Sequence, residues 1–494
     1  MLSNIAMIFS SFEFLVFFPV VTLLYFLLAP KSRVFLLLLA GCVFYSFFIP
    51  AYLLILIFLI TVDYWVGKVI ERTEGRRRLH FLWLSIFANG GVLFFFKYFN
   101  FFNENLGGLV HLLGFSLTIP HLEILLPLGL SFHVFQSLSY TIEVYRKNVP
   151  AEQNFFIYAL YVMFYPQLVA GPIERPGHLL PQLHKTYVFD YVHVVRGLQL
   201  MAWGFFKKMI IADRIGIIVD QVYGNATLYS GPMLVLATVL FAYQLYCDFS
   251  GYSDIARGAA RVMGYDLTIN FNRPYDATTI GDFWRRWHIS FSSWLRDYIY
   301  TPLKTRWHTW GVWGMVVAAL ITFFFSGLWH GAKWTFVIFG AVHGIALSIE
   351  FLTHHLRERL SARIPLWVTG IIGRCYVFLF WSFSLIFFRA QSVTQAWYIL
   401  VHLHTDFLDF VAHIFDRVAL KKYLLAGEYR NEYIILICSI LLLEVVQSVG
   451  ERYSIPEWFE SQRLVLRWLV YSVAFWVFLV YGIFISRQFI YFAF

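Results

Sequence analysis

Apolar runs that approach the length of a bilayer crossing recur along the whole chain, and they constrain its fold more than any other feature. A membrane-spanning helix needs about 20 predominantly apolar residues. The candidate segments lie near residues 12–29, 34–49, 51–66, 80–97, 122–144, 155–170, 196–212, 231–247, 311–328, 333–351, 366–388, 432–448 and 466–486. Several are short or carry polar residues, so we predict about eleven or twelve full crossings. The remainder are expected to be re-entrant or short helices buried in protein.

The composition leads to the same conclusion. Hydrophobic residues make up 60% of the 494 residues and charged residues only 14%, whereas soluble domains carry about 25% charged residues. This excludes a disordered chain and a soluble enzyme with a polar shell. The four cysteines stand singly, without a CxxC pair, which predicts neither a zinc site nor a disulfide framework. We therefore predict an all-α polytopic membrane protein.

Basic residues between the apolar runs predict the orientation of the chain. Lys31 and Arg33 follow the first run, Arg76–Arg78 the third, and Arg146 and Lys147 the fifth. Because cytoplasmic loops are enriched in Lys and Arg, we place these loops in the cytoplasm and the N-terminus outside. No basic residue precedes Lys31, so the first run is predicted to stay as an anchor. The net charge of +9 is dispersed between apolar runs, which argues against nucleic-acid binding.

No internal repeat or Pro/Gly/Ser-rich linker divides the chain. We predict a single transmembrane domain over residues 1–494, with a motif-bearing core at about 120–390 and C-terminal helices with an aromatic tail at 391–494. The looser polar stretch 402–430, which includes Lys421 and Lys422, is interpreted as an amphipathic interfacial segment or an external loop.

Between about residues 248 and 306 the apolar character is lost. Polar groups at membrane depth are costly and mark functional pathways, so we interpret this segment as short helices and loops that are buried in the bundle or line a tunnel. The alternative is a cytoplasmic loop with interfacial Trp and Arg anchors. The predicted substrate-contacting or tunnel-lining residues here are Asp248, Ser250, Asp254, Trp284, Arg285, Arg286 and Arg296.

His330 follows in a strongly apolar stretch. The cost of burying its imidazole must be offset by a hydrogen bond or by a functional role. Gly327 and Gly331 flank Trp329 and His330, and on a helix they clear a face that another backbone or a substrate can approach. His343 repeats the His-Gly step, and we count Trp329 and His343 among the tunnel-lining candidates. Neutral imidazole suits a general base. The alternatives are packed, satisfied histidines or a proton relay, and the His spacing does not support a metal site.

Several segments of the chain resemble the membrane-bound O-acyltransferase family, in its bacterial branch of alginate and peptidoglycan O-acetyltransferases. The resemblance rests on Tyr246–Asp254, Phe271–Tyr275, Phe283–Ser290 and Gly327–Gly331. It extends outward, in order, to Leu126–Phe132, Tyr145–Arg146, Ala170–Ile173 and Phe388–Ala390. The match covers essentially the whole chain to about residue 390, and jointly these motifs are highly specific.

The resemblance implies a helical core around a central tunnel, with His330 as the catalytic residue and His288 as a second active-site residue. It implies transfer of a short acyl group from a thioester to a hydroxyl, with acetyl-CoA as the donor substrate and no bound cofactor. It also implies a bacterial inner-membrane enzyme that works with an extracytoplasmic SGNH-type transferase on a polysaccharide such as alginate or peptidoglycan. Arg285, Arg286 and Arg296 are expected to hold donor phosphates or to balance nearby carboxylates.

The aromatic tail Arg487–Phe494 resembles the acyl-carrying C-terminal motif of some relatives, which implies an acyl ester on Tyr491. A phenol, with its pKa of about 10, leaves more readily than a sugar hydroxyl, so such an ester stays activated. The alternative for the tail is an interfacial aromatic anchor. For the whole chain the alternatives are D-alanyl transfer to teichoic acid, a transporter or flippase in which His330 relays protons, and a scaffold for a secretion complex.

Overall fold

The computed structural model describes residues 7–115, 119–416, 418, 423–424, 430–484 and 489–492, and these residues contain helices and no strands. Up to Gly224 the α-helices are α1 (Phe12–Leu27), α2 (Pro30–Ser46), α3 (Tyr52–Arg72), α4 (Arg76–Leu93), α5 (Phe99–Leu112), α6 (Leu130–Tyr145), α7 (Phe155–Met163), α8 (Pro176–Leu183), α9 (Tyr191–Phe205) and α10 (Asp213–Gly224). Short π-helical segments follow α4 at Phe94–Tyr98 and α9 at Phe206–Ala212.

The second part of the chain is also helical. Its α-helices are α11 (Gly231–Val262), α12 (Ile280–Arg286), α13 (Ile289–Leu295), α14 (Thr301–Arg306), α15 (Val312–His330), α16 (Trp334–Leu352), α17 (His354–Ser361), α18 (Leu366–Arg389), α19 (Val393–His402), α20 (Phe407–Ala412), α21 (Arg430–Arg452), α22 (Ile455–Glu460) and α23 (Leu464–Tyr481). A π-helical turn lies at Arg296–Tyr300, and 3-10 turns lie at Ala226–Leu228, Pro274–Asp276, His308–Trp310 and Ile490–Phe492.

Within the described part of the chain, eight helical stretches are long and apolar enough to cross a membrane. They are α3, the continuous stretch Arg76–Leu112, α11, α15, α16, α18, α21 and α23. The prediction of an all-α polytopic membrane protein is therefore confirmed. The number of full crossings stays a prediction, because shorter apolar helices such as α1 also exist. The central tunnel and the outside position of the N-terminus stay predictions as well.

The chain divides into two compact units. The first comprises residues 1–201, 255–269 and 331–333, and the second comprises residues 202–254, 270–330 and 334–494. In the first unit, α3, α4 and α6 pack around a buried polar network. The Asp63 carboxylate accepts hydrogen bonds from Ser85 Oγ at 2.6 Å and from Asn89 Nδ2 at 2.9–3.0 Å. These neutral donors solvate a carboxylate that is fully buried.

In the second unit, glycines bring α15 and α16 together. A Cβ atom on Gly327 would lie 2.4 Å from the Phe336 carbonyl oxygen, and one on Gly340 would lie 2.2 Å from that of Phe323. Only glycine permits this approach of two backbones. The cleared face predicted at Gly327 is therefore occupied by the backbone of another helix, α16, and not by a substrate.

The structure corrects three boundaries predicted from hydropathy. Helix α6 begins at Leu130, not near residue 122, and Gly129 before it has a φ of +72°. Helix α7 ends at Met163, although the apolar run extends to about residue 170. Residues 248–262 continue α11 as one helix instead of forming short helices or a loop. The helix continues past the end of the apolar run, and its carboxylates Asp248 and Asp254 pair with lysines.

Candidate active site

His330 is the last residue of α15 and lies among aromatic rings of the second unit. Its side chain is buried, with 5% of the residue exposed. The ring centroids of its neighbours lie 4.8–6.5 Å from that of the imidazole, and these neighbours are Phe291, Trp329, Phe336, Phe339, Phe388 and Tyr491. The imidazole at the end of α15 thus lies within a shell of aromatic rings that excludes water.

His288 lies at the junction of α12 and α13 and contacts the same shell. It is fully buried, and its ring centroid is 4.6 Å from that of Phe249, 5.0 Å from that of Phe291 and 5.7 Å from that of Trp329. Burial lowers the pKa of His288 well below its usual range, which favours the neutral imidazole. The structure therefore brings the two predicted catalytic histidines against a common pair of rings, Phe291 and Trp329.

The backbone at His288 is held in an uncommon conformation by Asn270. His288 has a φ of +43° and a ψ of +55°, in the left-handed region. The Asn270 carbonyl accepts the Ile289 N–H at 2.9 Å, and its side-chain Oδ1 accepts the Ser290 hydroxyl at 2.6 Å. Left-handed non-glycine residues persist where surrounding contacts over-determine them, and they concentrate at functional sites. Sequence reasoning missed Asn270 as a supporting residue of the site.

Tyr491 returns from the C-terminal end of the chain to the two histidines. Its ring centroid lies 5.8 Å from that of His330 and 6.3 Å from that of His288. It also lies 4.5 Å from the Phe249 ring and 6.2 Å from the Trp329 ring. Of the predicted tail, Arg487, Gln488, Ala493 and Phe494 lie outside the described residues, as do Lys421 and Lys422 of the polar stretch. Tyr491 thus brings a hydroxyl-bearing ring beside both histidine rings.

His343 is held differently, in a chain of hydrogen bonds between three helices. Trp284 Nε1 donates to His343 Nδ1 at 3.2 Å, and His343 Nε2 lies 3.0 Å from Ser384 Oγ. Because Nδ1 accepts, the neutral ring carries its proton on Nε2 and donates it to Ser384. Ser384 in turn donates to the Trp381 carbonyl at 2.7 Å. Both ring nitrogens are engaged, so these contacts favour a packing role for His343 and Trp284 over contact with a substrate.

The predicted acidic residues of α11 form ion pairs with the buried π-helical segment Phe206–Ala212. Lys207 Nζ lies 2.6 Å from Asp254, and Lys208 Nζ lies 2.6 Å from Asp248 and 2.9 Å from Asp213. Sequence reasoning missed both lysines, although two adjacent charges in the apolar run 196–212 were a usable signal, since such charges need partners. Ser250 is buried, and its Oγ has no hydrogen-bond partner among the described residues.

The predicted arginines lie on more open surfaces. Arg285 and Arg296 have most of their side chains exposed, near Asp282 and Asp297 respectively. Arg286 donates from Nε to Asp282 at 2.9 Å. Ion pairing, the second of their two predicted roles, is thus present, and phosphate binding stays a prediction. Within the described ranges, one group fits a metal ion, namely the exposed His354, His355 and Glu358 of α17, and it includes no residue of the His330 site.

This arrangement is suited to proton transfer in a dry setting. The imidazoles of His330 and His288 and the hydroxyl of Tyr491 share one aromatic shell. Burial and the Asp248 carboxylate raise the pKa of the Tyr491 phenol, so the hydroxyl stays protonated until a base removes its proton. Excluding water strengthens such interactions and limits hydrolysis of a reactive acyl group.

Comparison with known proteins identifies one family and several relatives that match most of the chain. The family model described as MBOAT, membrane-bound O-acyltransferase family, matches residues 81–393. The chain is 37% identical over 399 residues to the probable alginate O-acetylase AlgI of Azotobacter vinelandii, covering 79% of this chain and 77% of that protein. It is 37% identical to the Pseudomonas aeruginosa protein of the same name, covering 79% and 74%. The peptidoglycan O-acetyltransferase of Helicobacter pylori is 32% identical over 432 residues, covering 79% of each chain.

Proposed function

The chain belongs to the membrane-bound O-acyltransferase family, and from that premise we propose that it moves an acetyl group from acetyl-CoA to the Tyr491 hydroxyl, with His330 as the general base. One observation carries the proposal, namely the contact of the Tyr491 ring with the rings of both His330 and His288. The names of the relatives favour acetyl as the group transferred.

The reaction balances with the residues of this site. His330 takes the phenol proton as the Tyr491 oxygen attacks the thioester carbonyl. The carbon–sulfur bond then breaks, and the thiolate of CoA receives the proton from His330, leaving CoA as the free thiol and Tyr491 as an acetyl ester. His288, neutral and fixed by its left-handed backbone, orients the reacting groups.

The ester on Tyr491 then serves as an activated carrier. In water, outside the buried site, a phenol with its pKa of about 10 is a better leaving group than a sugar hydroxyl. We propose that an extracytoplasmic SGNH-type transferase accepts the acetyl group and passes it to a polysaccharide, such as alginate, peptidoglycan or another exopolysaccharide. Coenzyme A is too large and too charged to cross lipid. A carrier residue on the protein therefore allows the acetyl group to reach the acceptor side of the bacterial inner membrane while CoA stays on the donor side.

The test uses full-length protein in detergent, incubated with acetyl-CoA and no partner. We expect an acetyl adduct on the C-terminal peptide by mass spectrometry, together with release of one CoA per adduct. Tyr491→Phe keeps the ring and removes the hydroxyl, so it should lose the adduct while keeping the fold.

An unmodified tail in the donor-loaded protein, with CoA release and acetylation of an added polysaccharide, would overturn the relay and leave a direct transferase. Transport of acetylated substrate without release of CoA would support the transporter alternative instead. An adduct from a D-alanyl carrier but not from acetyl-CoA would indicate D-alanyl transfer to teichoic acid.

A further inference from the structure

The tail segment that bears Tyr491 is attached to α11 through its backbone. The N–H of Ile490 donates to Asp248 Oδ2 at 2.8 Å. Asp248 is buried in α11, and Ile490 directly precedes Tyr491. A hydrogen bond to a charged acceptor is stronger than one between neutral groups. It therefore fixes the backbone next to the proposed acyl carrier.

The same carboxylate is itself held by a buried lysine. Asp248 Oδ1 lies 2.6 Å from Lys208 Nζ, which also pairs with Asp213 at 2.9 Å. All three side chains are less than one-tenth exposed. Breaking a buried charge pair is costly, because the remaining charge is left uncompensated. The carboxylate that accepts the Ile490 N–H is therefore held in place by a buried charge pair.

Two further contacts attach the tail to the same region. The Ile483 N–H donates to the carbonyl of Met209, the residue that follows Lys208, at 3.1 Å. The Phe489 ring lies 4.7 Å from that of Tyr252, in a stacked arrangement, and 5.5 Å from that of Phe249. The described residues on both sides of 485–488 are therefore held by α11 and the Phe206–Ala212 segment.

We propose that Asp248 is a positioning residue for acyl transfer, which holds the backbone of the tail so that the Tyr491 hydroxyl reaches His330. Lys208 pairs with the Asp248 carboxylate and holds it in position to accept the Ile490 N–H. This inference rests on the proposed function, because it assigns a position to the acyl carrier. Asp248 acts through Tyr491 and neither takes nor gives the transferred proton.

The test removes the hydrogen bond from each side. Ile490→Pro deletes the N–H and leaves Asp248 and Lys208 untouched, and proline is tolerated at the first position of the 3-10 turn Ile490–Phe492. Ile490→Val is the matched control that keeps the N–H. The measurement is the single-turnover rate of Tyr491 acetylation at saturating acetyl-CoA, followed by mass spectrometry. We expect Ile490→Pro to be about tenfold slower than Ile490→Val.

A double-mutant cycle with Asp248→Ala distinguishes positioning from a merely structural role. If both changes remove one hydrogen bond, adding Ile490→Pro to Asp248→Ala has no further effect on the rate. Asp248→Asn, which keeps an acceptor oxygen, should recover part of the rate and serves if Asp248→Ala does not fold.

Equal rates for Ile490→Pro and Ile490→Val would overturn the positioning role while the relay stands, and so would effects that multiply. A wild-type protein whose Tyr491 is never acetylated would instead overturn the proposed function.

Discussion

Two histidines in neighbouring helices, each followed by glycine, lie in different surroundings. His330 ends α15 in a shell of rings that includes Tyr491. His343 lies inside α16, with its two ring nitrogens engaged by Trp284 and Ser384. The sequence around both is apolar with a His-Gly step, so the pattern alone does not distinguish them. What distinguishes them is the partner that distant parts of the chain bring to each ring.

The comparison shows two ways in which a membrane protein accommodates a buried imidazole. At His343 the cost of burial is met by hydrogen bonds that join α12, α16 and α18. At His330 the imidazole lies in an aromatic shell that includes the Tyr491 ring. A histidine whose two nitrogens are both engaged by structural partners is a poor general base, and we therefore assign the proposed base to His330 and not to His343.

The largest expected effect separates the two positions directly. His330→Asn keeps a polar side chain but removes the basic nitrogen, and we expect acetyl transfer to fall about a thousandfold. His343→Asn should reduce the same rate by less than about tenfold, since its effect acts through packing. The measurement is CoA release by purified protein at matched folded concentration. Similar losses at both positions would remove the distinction between them.

His288 allows a second, smaller test, because its backbone lies in the left-handed region. Among non-glycine residues, Asn and His adopt this conformation most readily, whereas Ala does so at a cost of about 1 kcal/mol. His288→Asn should therefore keep the thermal midpoint near that of the wild type and lower the transfer rate by about tenfold to a hundredfold. His288→Ala should lower both. A fully active His288→Asn would show that the position matters for its backbone alone.

Sequence reasoning established the fold class and predicted His288 and His330 as the catalytic pair, but it did not predict the contacts between distant segments. Long apolar runs determine an all-α membrane protein, and short motifs mark His288 and His330. Tyr491 lies beside these rings next to Ile490, whose N–H donates to Asp248, a residue 242 positions away along the chain, and no local pattern encodes such a contact. The ion pairs of Asp248 and Asp254 with distant lysines are likewise not visible in the local sequence, and residues 248–262 were therefore wrongly predicted as short helices and loops.

The third prediction concerns the packing that holds the two histidine-bearing helices together. A Cβ atom on Gly340 would meet the Phe323 carbonyl oxygen at 2.2 Å, so Gly340→Ala must displace backbone and should cost about 1–3 kcal/mol of stability. Gly90→Ala in α4, where no atom lies within 4 Å, is the matched control. It should be neutral or stabilising by about 0.5–1 kcal/mol. Thermal unfolding of both variants in detergent checks this, and equal midpoints would contradict the close helix contact.

The smallest expected effect concerns a histidine with a carboxylate partner, His178 of the first unit. Its Nδ1 lies 2.6 Å from the buried Glu174 carboxylate, which also accepts the Thr268 N–H, and the Glu174 hydrogen bond raises the pKa of His178. A raised folded-state pKa contributes stability that is complete below the unfolded value of about 6.5 and is lost as the pH rises through the folded value. His178→Gln should therefore lower the midpoint of thermal unfolding, and this deficit should shrink as the pH is raised from about 5.5 to above the pKa of His178 in the folded protein. The deficit of Gly340→Ala, which removes no titrating group, should stay constant over the same range. A parallel decline in both deficits would show that the whole protein titrates and not only the His178–Glu174 pair.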